Sequence, residues 1–515
     1  MKKWNRIICL SCITAMTLAF CGCNNGSTAI GSSGSDSSDA DSFQSETEPF
    51  TRERIAKFEA EVGTDFVGNT KVSSSVKGFS GTGYVDGFTG ENDSASIMIS
   101  VDEEAFYDLD MYVCVSGGYK ENYVYLDDEY VGIIACKSSS FETITIPHVY
   151  ITAGEHKLAV HGYWGYVNWD NVIIATSAPF DTSIYDVEAT LVNANASDNA
   201  KRLMQYICDN YGKNVISGQY CSEGAFGKEM AVIMKTTGKL PAMLGLDMSE
   251  FSSSSQASDG SNTSVDKALA AWEENIIVTM CWHWLAPEKY VTGNWYSAFY
   301  KENTSIDLDK IMSGQDEEGY DLLVKDIKLC AEAFKPLKEA DVPVLWRPLH
   351  EASGGWFWWG NCEAESYIKL YQLIYDIFVN EYELNNLIWV WNGQDPDWYV
   401  GDEYCDIIGE DIYPGKHVYT SQYQKYIAAV NEYTSARKII TLSENGCHFD
   451  PDLALRDGSM WSYFGTWEGE FICGDSAFNT LSEEYTEADM LKKVYNHENV
   501  ITRDELPDLK TYSGE

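Results

Sequence analysis

Basic residues are scarce in this chain: 36 Lys and Arg stand against 79 Asp and Glu, a formal net charge of -43 at pH 7. A surface of that sign repels phosphate and anionic lipid, which argues against nucleic acid binding and charge-driven membrane attachment. Outside the first 23 residues no two cysteines stand in C-x-x-C spacing, so neither a zinc knuckle nor a dense disulfide framework is indicated. Cys114 and Cys136 are open to two readings, a pair within one domain or buried free thiols. No glycine-rich phosphate loop follows any strand-like run, and no repeat of solenoid period is evident. The His-Glu pair at 350–351 does not extend to H-E-x-x-H, because the fifth position is Gly354; this weakens a secreted metalloprotease reading.

Long apolar runs are equally rare. The one at 7–20 follows Lys2, Lys3 and Arg6 and is too short for a spanning helix, the layout of an export leader. It ends in Phe20-Cys21-Gly22-Cys23, which resembles a bacterial lipobox with Cys23 as the lipidated residue. A surface lipoprotein is expected, with simple secretion as the alternative. Residues 24–50 are rich in Ser, Gly and Asp and read as a flexible tether.

What is abundant is apolar and aromatic. At 515 residues and 44% hydrophobic content, with 16 Trp and 33 Tyr, the chain can build two or three cores and still have flat rings to offer a sugar. From 51 to 178 short alternating runs such as SIMISV, YDLDMYVCV, ETITIPHVYI and HKLAVHGYW are separated by Gly and Asp turns, the pattern of a small antiparallel β-sandwich. From 185 to 510 the rhythm lengthens. Eight β-type runs, KNVISGQY, KLPAMLGLD, NIIVTMCWHW, DVPVLWRPLHE, LNNLIWVWN, YCDIIGEDIY, RKIITLSENG and WSYFGTWEGEF, alternate with helical stretches, among them 321–339 and 363–381. The fold class is therefore α/β, a (β/α)8 barrel preceded by the sandwich, with a doubly wound sheet as the runner-up.

A barrel carries its chemistry at the carboxyl ends of its strands. Those ends read Gln219, Asp247, His283, His350-Glu351, Asn392, Asp411-Tyr413, Glu444 and Trp467. Glu351 and Glu444 follow the fourth and seventh runs, which a closed barrel brings to one mouth. Two carboxyls facing each other are the machinery of glycoside hydrolysis: one protonates the leaving oxygen, the other attacks or activates water.

The stretch WRPLHEASGGWFWWG, with DIYP and TLSENG downstream, resembles glycoside hydrolase family 26, most of whose members are endo-β-1,4-mannanases on a (β/α)8 barrel. The resemblance covers about residues 185 to 505. It implies a retaining hydrolase of mannan, glucomannan or galactomannan, with Glu351 as acid/base and Glu444 as nucleophile. It further implies Arg347 ordering the surroundings of the nucleophile, Tyr413 hydrogen-bonding it, and His283, His350, Trp356, Asp411 and Trp467 in the substrate site. Ala352-Ser353 departs from the Met-Asn of many members and touches fine subsite contacts rather than the reaction. No metal or organic cofactor is implied for catalysis, and a monomer is expected.

The sandwich has a relative as well. FEAEVG, GTGYVDGF and HGYWGYVNWDNVII resemble a family 35 carbohydrate-binding module. That resemblance implies a structural Ca2+ held by Glu59, Glu61 and Asp170, and sugar contacts from Trp164 and Asn168 on one loop. Two alternatives stay open at this point: retaining hydrolysis of another β-glycan such as mixed-linkage glucan or xylan, and a non-catalytic surface glycan-binding lipoprotein. Endo against exo action is open too, since the segments 252–264 and 290–313 could close one end of the site.

Overall fold

The computed structural model describes residues 50–63, 65–258, 263–474 and 480–514. The leader, Cys23 and nearly all of the tether lie outside the described residues, as do 259–262 of the segment 252–264. The chain divides into two compact units, and the last passage between them falls after Ala178.

In the N-terminal unit, antiparallel strands form two sheets. One runs Lys71–Ser73, Tyr84–Asp86, Val167–Thr176, Ala105–Val115, Glu142–Ile151, with Arg54–Glu59 also pairing Val167–Thr176. The other runs Asp65–Val67, Ser94–Val101, Gly154–Trp164, Lys120–Leu126, Glu129–Cys136. The period of two puts one face of each strand in the core: Leu109, Met111 and Val113 alternate inward and are fully buried, with Trp169 opposite Val113. Pro147 has no N–H for a ladder and sits in Glu142–Ile151, the strand at the end of its sheet, beside a register shift. Cys114 and Cys136 are buried free thiols, not a pair.

The C-terminal unit is built on a closed parallel barrel of eight strands. They are β1 (Gly218–Tyr220), β2 (Met243–Asp247), β3 (Ile277–Trp282), β4 (Val344–Pro348), β5 (Leu387–Trp391), β6 (Ile407–Ile412), β7 (Ile439–Asn445) and β8 (Phe464–Thr466). Each lies within one of the eight runs read from the sequence, and Gln219 opposite Thr466 closes the ring. Because helices cover a parallel sheet from outside and side chains fill it from inside, both faces are buried, which is why the runs are continuously apolar.

The helix expected over 321–339 is two helices, α1 (Glu317–Ala333) and α2 (Lys335–Glu339). Pro336 lacks an N–H and its ring crowds the carbonyl four residues back, so the first helix stops before it and the second begins with it in the first turn. The expected 363–381 helix is α3 (Ala364–Asp376), which widens into a π-turn at Ile377–Glu381.

Side chains alternate between the two faces of β4. Trp346 points outward, where it meets Phe334 at a ring distance of 4.9 Å and Phe378 at 5.7 Å, below α1 and α3. Its neighbour Arg347 must then point into the barrel. The lead-in to the barrel is held by Asp406, buried just before β6, whose carboxylate accepts from Val192 N at 2.7 Å and Trp389 N at 2.8 Å. Asp406→Ala leaves two backbone donors without that acceptor, an expected loss of roughly 2–6 kcal/mol at 1–3 per buried group. A fall of several degrees in the melting transition of the barrel, with an unchanged far-UV spectrum before melting, is the expected result.

Candidate active site

The site grows from the carboxyl ends of the barrel strands. Leaving β4, the backbone turns through two left-handed residues, Leu349 and Glu351, both with φ of 53°. Non-glycine residues in this region cost about 1–3 kcal/mol and persist where the surroundings fix them. Here the fixing group is Asn392, past the end of β5: its carbonyl accepts from Glu351 N at 2.8 Å, and its side-chain oxygen lies 3.3 Å from the same N–H. Glu351 is thereby turned to the mouth. On the next loop a Cβ at Gly354 would collide with the Trp356 indole, so only glycine leaves room for that ring. Trp356 Nε1 donates to Glu351 Oε2 at 2.9 Å.

Between β6 and β7 the ladder slips by one residue: Glu410 pairs with Leu442, but Asp411 pairs with Glu444. Such a bulge re-aims side chains. Ser443, the extra residue, donates to Asp411 Oδ1 at 2.6 Å, while Glu444 turns to Arg347. Arg347 is fully buried and donates through Nη1 to Asp411 Oδ2 at 2.7 Å and Asn392 Oδ1 at 2.9 Å, and through Nη2 to Glu444 Oε1 and to the Tyr220 hydroxyl at 3.2 Å. Tyr413 donates to the other Glu444 oxygen at 2.6 Å. Both oxygens of Glu444 are thus occupied by donors that favour a carboxylate.

Glu351 stands in the opposite environment. Oxygens of Glu351, Asp411 and Glu444 lie within 4.8 Å of one another. Burial, followed by the charges of Asp411 and Glu444, pushes the Glu351 carboxyl well above the usual carboxylate range; Arg347 and the Trp356 N–H only partly oppose this. A protonated carboxyl facing a clamped carboxylate is suited to donate a proton to an oxygen while its partner attacks the adjoining carbon. A spacing of about 5 to 5.5 Å between the two groups belongs to the retaining geometry, a wider one to inversion.

The other residues singled out in the sequence fall into three places. His283 and Trp467 are half-buried at the mouth, with ring centres 5.6 Å apart, and Trp467 also lies 4.8 Å from Tyr220. His350 is 1% exposed and Arg347 is not exposed at all, and both are engaged by protein groups, His350 by His283 and Arg347 by Asn392, Asp411, Tyr220 and Glu444. The segment 290–313 belongs to the wall: Phe299 meets the His283 ring at 5.0 Å, and Lys301 N donates to the Trp356 carbonyl at 2.9 Å. Tyr220 and Ser443 carry parts that sequence reasoning missed. The only signal was position, Tyr220 at the end of the first run and Ser443 directly before Glu444.

The remaining five lie in the sandwich. Trp164 ends the strand Gly154–Trp164, 42% exposed, with Lys120 Nζ 5.4 Å from its ring centre. Asn168 lies inside the strand Val167–Thr176 and not on a loop, because the turn between the two strands is only Gly165-Tyr166; its amide donates to Cys114 Sγ at 3.3 Å. Glu59, Glu61 and Asp170 bring carboxylate oxygens within 4.8 Å of one another. Among the described residues, Glu61 Oε2 and the neighbouring Asn171 Oδ1 are buried without a hydrogen-bond partner. Hard oxygen donors left unpaired in a dry place fit a cation such as Ca2+.

Comparison with known proteins places these features in a family. The Glycosyl hydrolase family 26 model matches residues 192–505, and the Carbohydrate binding module (family 35) model matches 56–201. A mannan endo-1,4-beta-mannosidase of Thermothelomyces thermophilus is 33% identical over 442 residues, 85% of this chain and 88% of that protein. Mannan endo-1,4-beta-mannosidase B of a Piromyces species is 34% identical over 471 residues, 89% and 78% of the two chains. The crystal structure of a Podospora anserina GH26-CBM35 beta-(1,4)-mannanase superposes with a TM-score of 0.62 at 31% identity, covering 88% of this chain and 99% of that one.

The Trp356 bond lowers the Glu351 pKa, so its loss in Trp356→Phe raises that pKa further. The alkaline limb of kcat/KM, where the proton donor empties, is expected to move to higher pH, whatever the change in overall rate. An alkaline limb that stays in place, or moves down, contradicts this.

Proposed function

The chain belongs to glycosyl hydrolase family 26, and from that membership we propose that it hydrolyses internal β-1,4-mannosidic bonds of mannan, glucomannan or galactomannan with retention of configuration. The observation that carries the reading is Glu444, clamped on both oxygens by Arg347 and Tyr413, with the proton-bearing Glu351 within 4.8 Å. In the first step Glu444 attacks the anomeric carbon as Glu351 gives its proton to the leaving oxygen, so the sugar is held as an ester on Glu444. In the second, Glu351, now a carboxylate, takes a proton from water, which displaces Glu444 from the same carbon. Tyr413 and Arg347 hold the nucleophile, Asp411 shares the guanidinium, and His283, Trp356 and Trp467 offer the faces and donors that line the sugar.

The sandwich, on this reading, binds the same polysaccharide through Trp164 and its surroundings and keeps the barrel near insoluble substrate, raising its effective concentration. Glu59, Glu61 and Asp170 are the residues that would hold Ca2+ there, its role being to tie strand ends together rather than to take part in hydrolysis. Export through the leader and anchoring at Cys23 of a monomeric enzyme complete the proposal.

Product analysis of the protein lacking residues 1–48, on β-mannan, galactomannan, mixed-linkage glucan and xylan, tests it. A ladder of oligosaccharides from the mannans alone is expected; cleavage of glucan or xylan in preference to mannan would replace the substrate, and blocked or single-sugar products would make the action exo. Glu351→Ala is expected to lose about 10²- to 10⁴-fold on polymer but much less on aryl mannosides whose leaving group needs no proton. Glu444→Ala is expected to lose activity on both. Calcium is expected to raise the melting temperature of the sandwich transition in the same protein, and Glu61→Gln to abolish the rise while leaving mannan hydrolysis intact. A melting curve indifferent to calcium and to chelator removes the ion from the account.

A further inference from the structure

Asp247 ends β2, and its register partner on β3 is Cys281. Two residues beyond, on the same side, comes His283. One carboxylate therefore meets this histidine twice: Asp247 Oδ1 accepts the His283 backbone N–H at 3.0 Å, and Oδ2 lies 2.8 Å from ring Nδ1. Oδ1 also accepts from Ser249 N at 2.9 Å, which fixes the carboxylate itself. A carboxylate so placed accepts only, so Nδ1 of His283 must carry a hydrogen.

The far nitrogen of the ring is engaged as well. His283 Nε2 lies 3.2 Å from Nε2 of His350, the residue that precedes Glu351. Two imidazole nitrogens at that distance share one hydrogen. With both rings neutral, His350 donates it to His283. With one further proton on the pair, His283 becomes the imidazolium and donates through Nε2 to His350 Nε2, so the hydrogen of the neutral His350 ring is then on Nδ1, which is buried without a hydrogen-bond partner among the described residues. We propose that Asp247 is a positioning residue of the reaction: it sets the ring orientation and proton placement of His283, and through the shared hydrogen those of His350 beside Glu351.

The charges around the pair agree with this direction of control. Burial works against a charged His283, but the charge and hydrogen bond of Asp247, joined by the charge of Glu444, raise the His283 pKa on balance. His350 is driven well below the usual histidine range by burial, by Arg347 and by His283. The titratable and charged groups that bear on His283 are Asp247 from β2, Cys281 on its own strand, Arg347 and His350 from the β4 end, and Glu444 from β7. Phe299, Phe357 and Trp467 close the remaining sides with uncharged rings. His350 is in turn fixed to the loop that carries Trp356, since Trp359 Nε1 donates to its carbonyl at 2.8 Å. The relay thus ends on the backbone from which Glu351 projects.

The inference rests on the glycosidase reading of Glu351 and Glu444, and its test separates the two. The protein labelled with 15N-histidine is titrated by NMR, with His283 assigned through a His283→Gln spectrum, while kcat and KM on mannan are measured in parallel. Asp247→Asn is expected to lower the His283 titration midpoint and shift the proton from Nδ1 to Nε2, because an amide can present N–H to the ring. The same variant is expected to lose about 10- to 100-fold in kcat with KM within about threefold, and Asp247→Glu to recover much of both readouts. A fall in kcat with an unmoved His283 titration would make Asp247 merely structural and overturn the proposal. A moved titration with unchanged kcat overturns it too, as does an effect on KM alone. Inactivity of the unaltered protein on mannan, with the histidine titration as described, would fail the substrate reading and leave the hold of Asp247 on His283 standing.

Discussion

The site depends on one buried cation. Arg347 has no exposed surface, and a guanidinium without solvent needs oxygen partners at every N–H it can offer. Both Nη groups find them on four other strand ends, Tyr220 from β1, Asn392 past β5, Asp411 from β6 and Glu444 from β7, while Nε is buried without a hydrogen-bond partner among the described residues. Residues spread from 220 to 444 in sequence meet there only because the sheet closes. The barrel is what makes the charge tolerable, and the charge is what gives the closed barrel a defined floor at its mouth. Swapping the guanidinium for an ammonium would keep the sign and lose the fork that reaches Asp411 and Glu444 together.

That floor divides the labour between two chemically identical side chains. Glu444 has its oxygens tied to Arg347 and Tyr413, donors that stabilise negative charge. Tyr413 keeps its proton for that bond, since burial and the charge of Glu444 push its hydroxyl well above the ordinary tyrosine range. Glu351 has one N–H from Trp356 and two carboxylates for neighbours, so it holds a proton. The difference is not a property of the residues but of which strand end each occupies relative to the guanidinium. On the proposed reading, a nucleophile and an acid are made from one amino acid by unequal distribution of donors.

The same physical constraints governed how much was visible in the sequence. All eight strands were legible, because burial on both faces forces apolar runs and polar strand ends mark where they stop. Boundaries of helices were less so: the 321–339 pattern is continuous in apolar spacing and ignores Pro336, whose effect is local and steric. The paired carboxylates were found because their chemistry requires a pair at a barrel mouth. Their supports were harder. Tyr220 and Ser443 act through a hydroxyl placed by closure and by a one-residue ladder slip, neither of which leaves a mark in composition or periodicity. Asn168 was misplaced for a related reason, since a two-residue hairpin turn left less loop than the glycine and aromatics around it suggested.

The acidic surplus takes on a definite meaning against this site. A neutral polysaccharide neither gains nor loses by a protein charge of -43, whereas a charged ligand would be steered or repelled. Affinity for such a polymer has to come from ring faces and directed hydrogen bonds, which work at contact distance and are little affected by salt. The charges that do matter are the few inside the mouth, Arg347 against Asp411 and Glu444, which are buried and paired at contact distance, whereas exposed charges further apart than a Debye length of about 8 Å at physiological ionic strength are largely screened from one another. The exterior can be as acidic as solubility favours, while the protonation state of Glu351 is set by neighbours within a few ångströms.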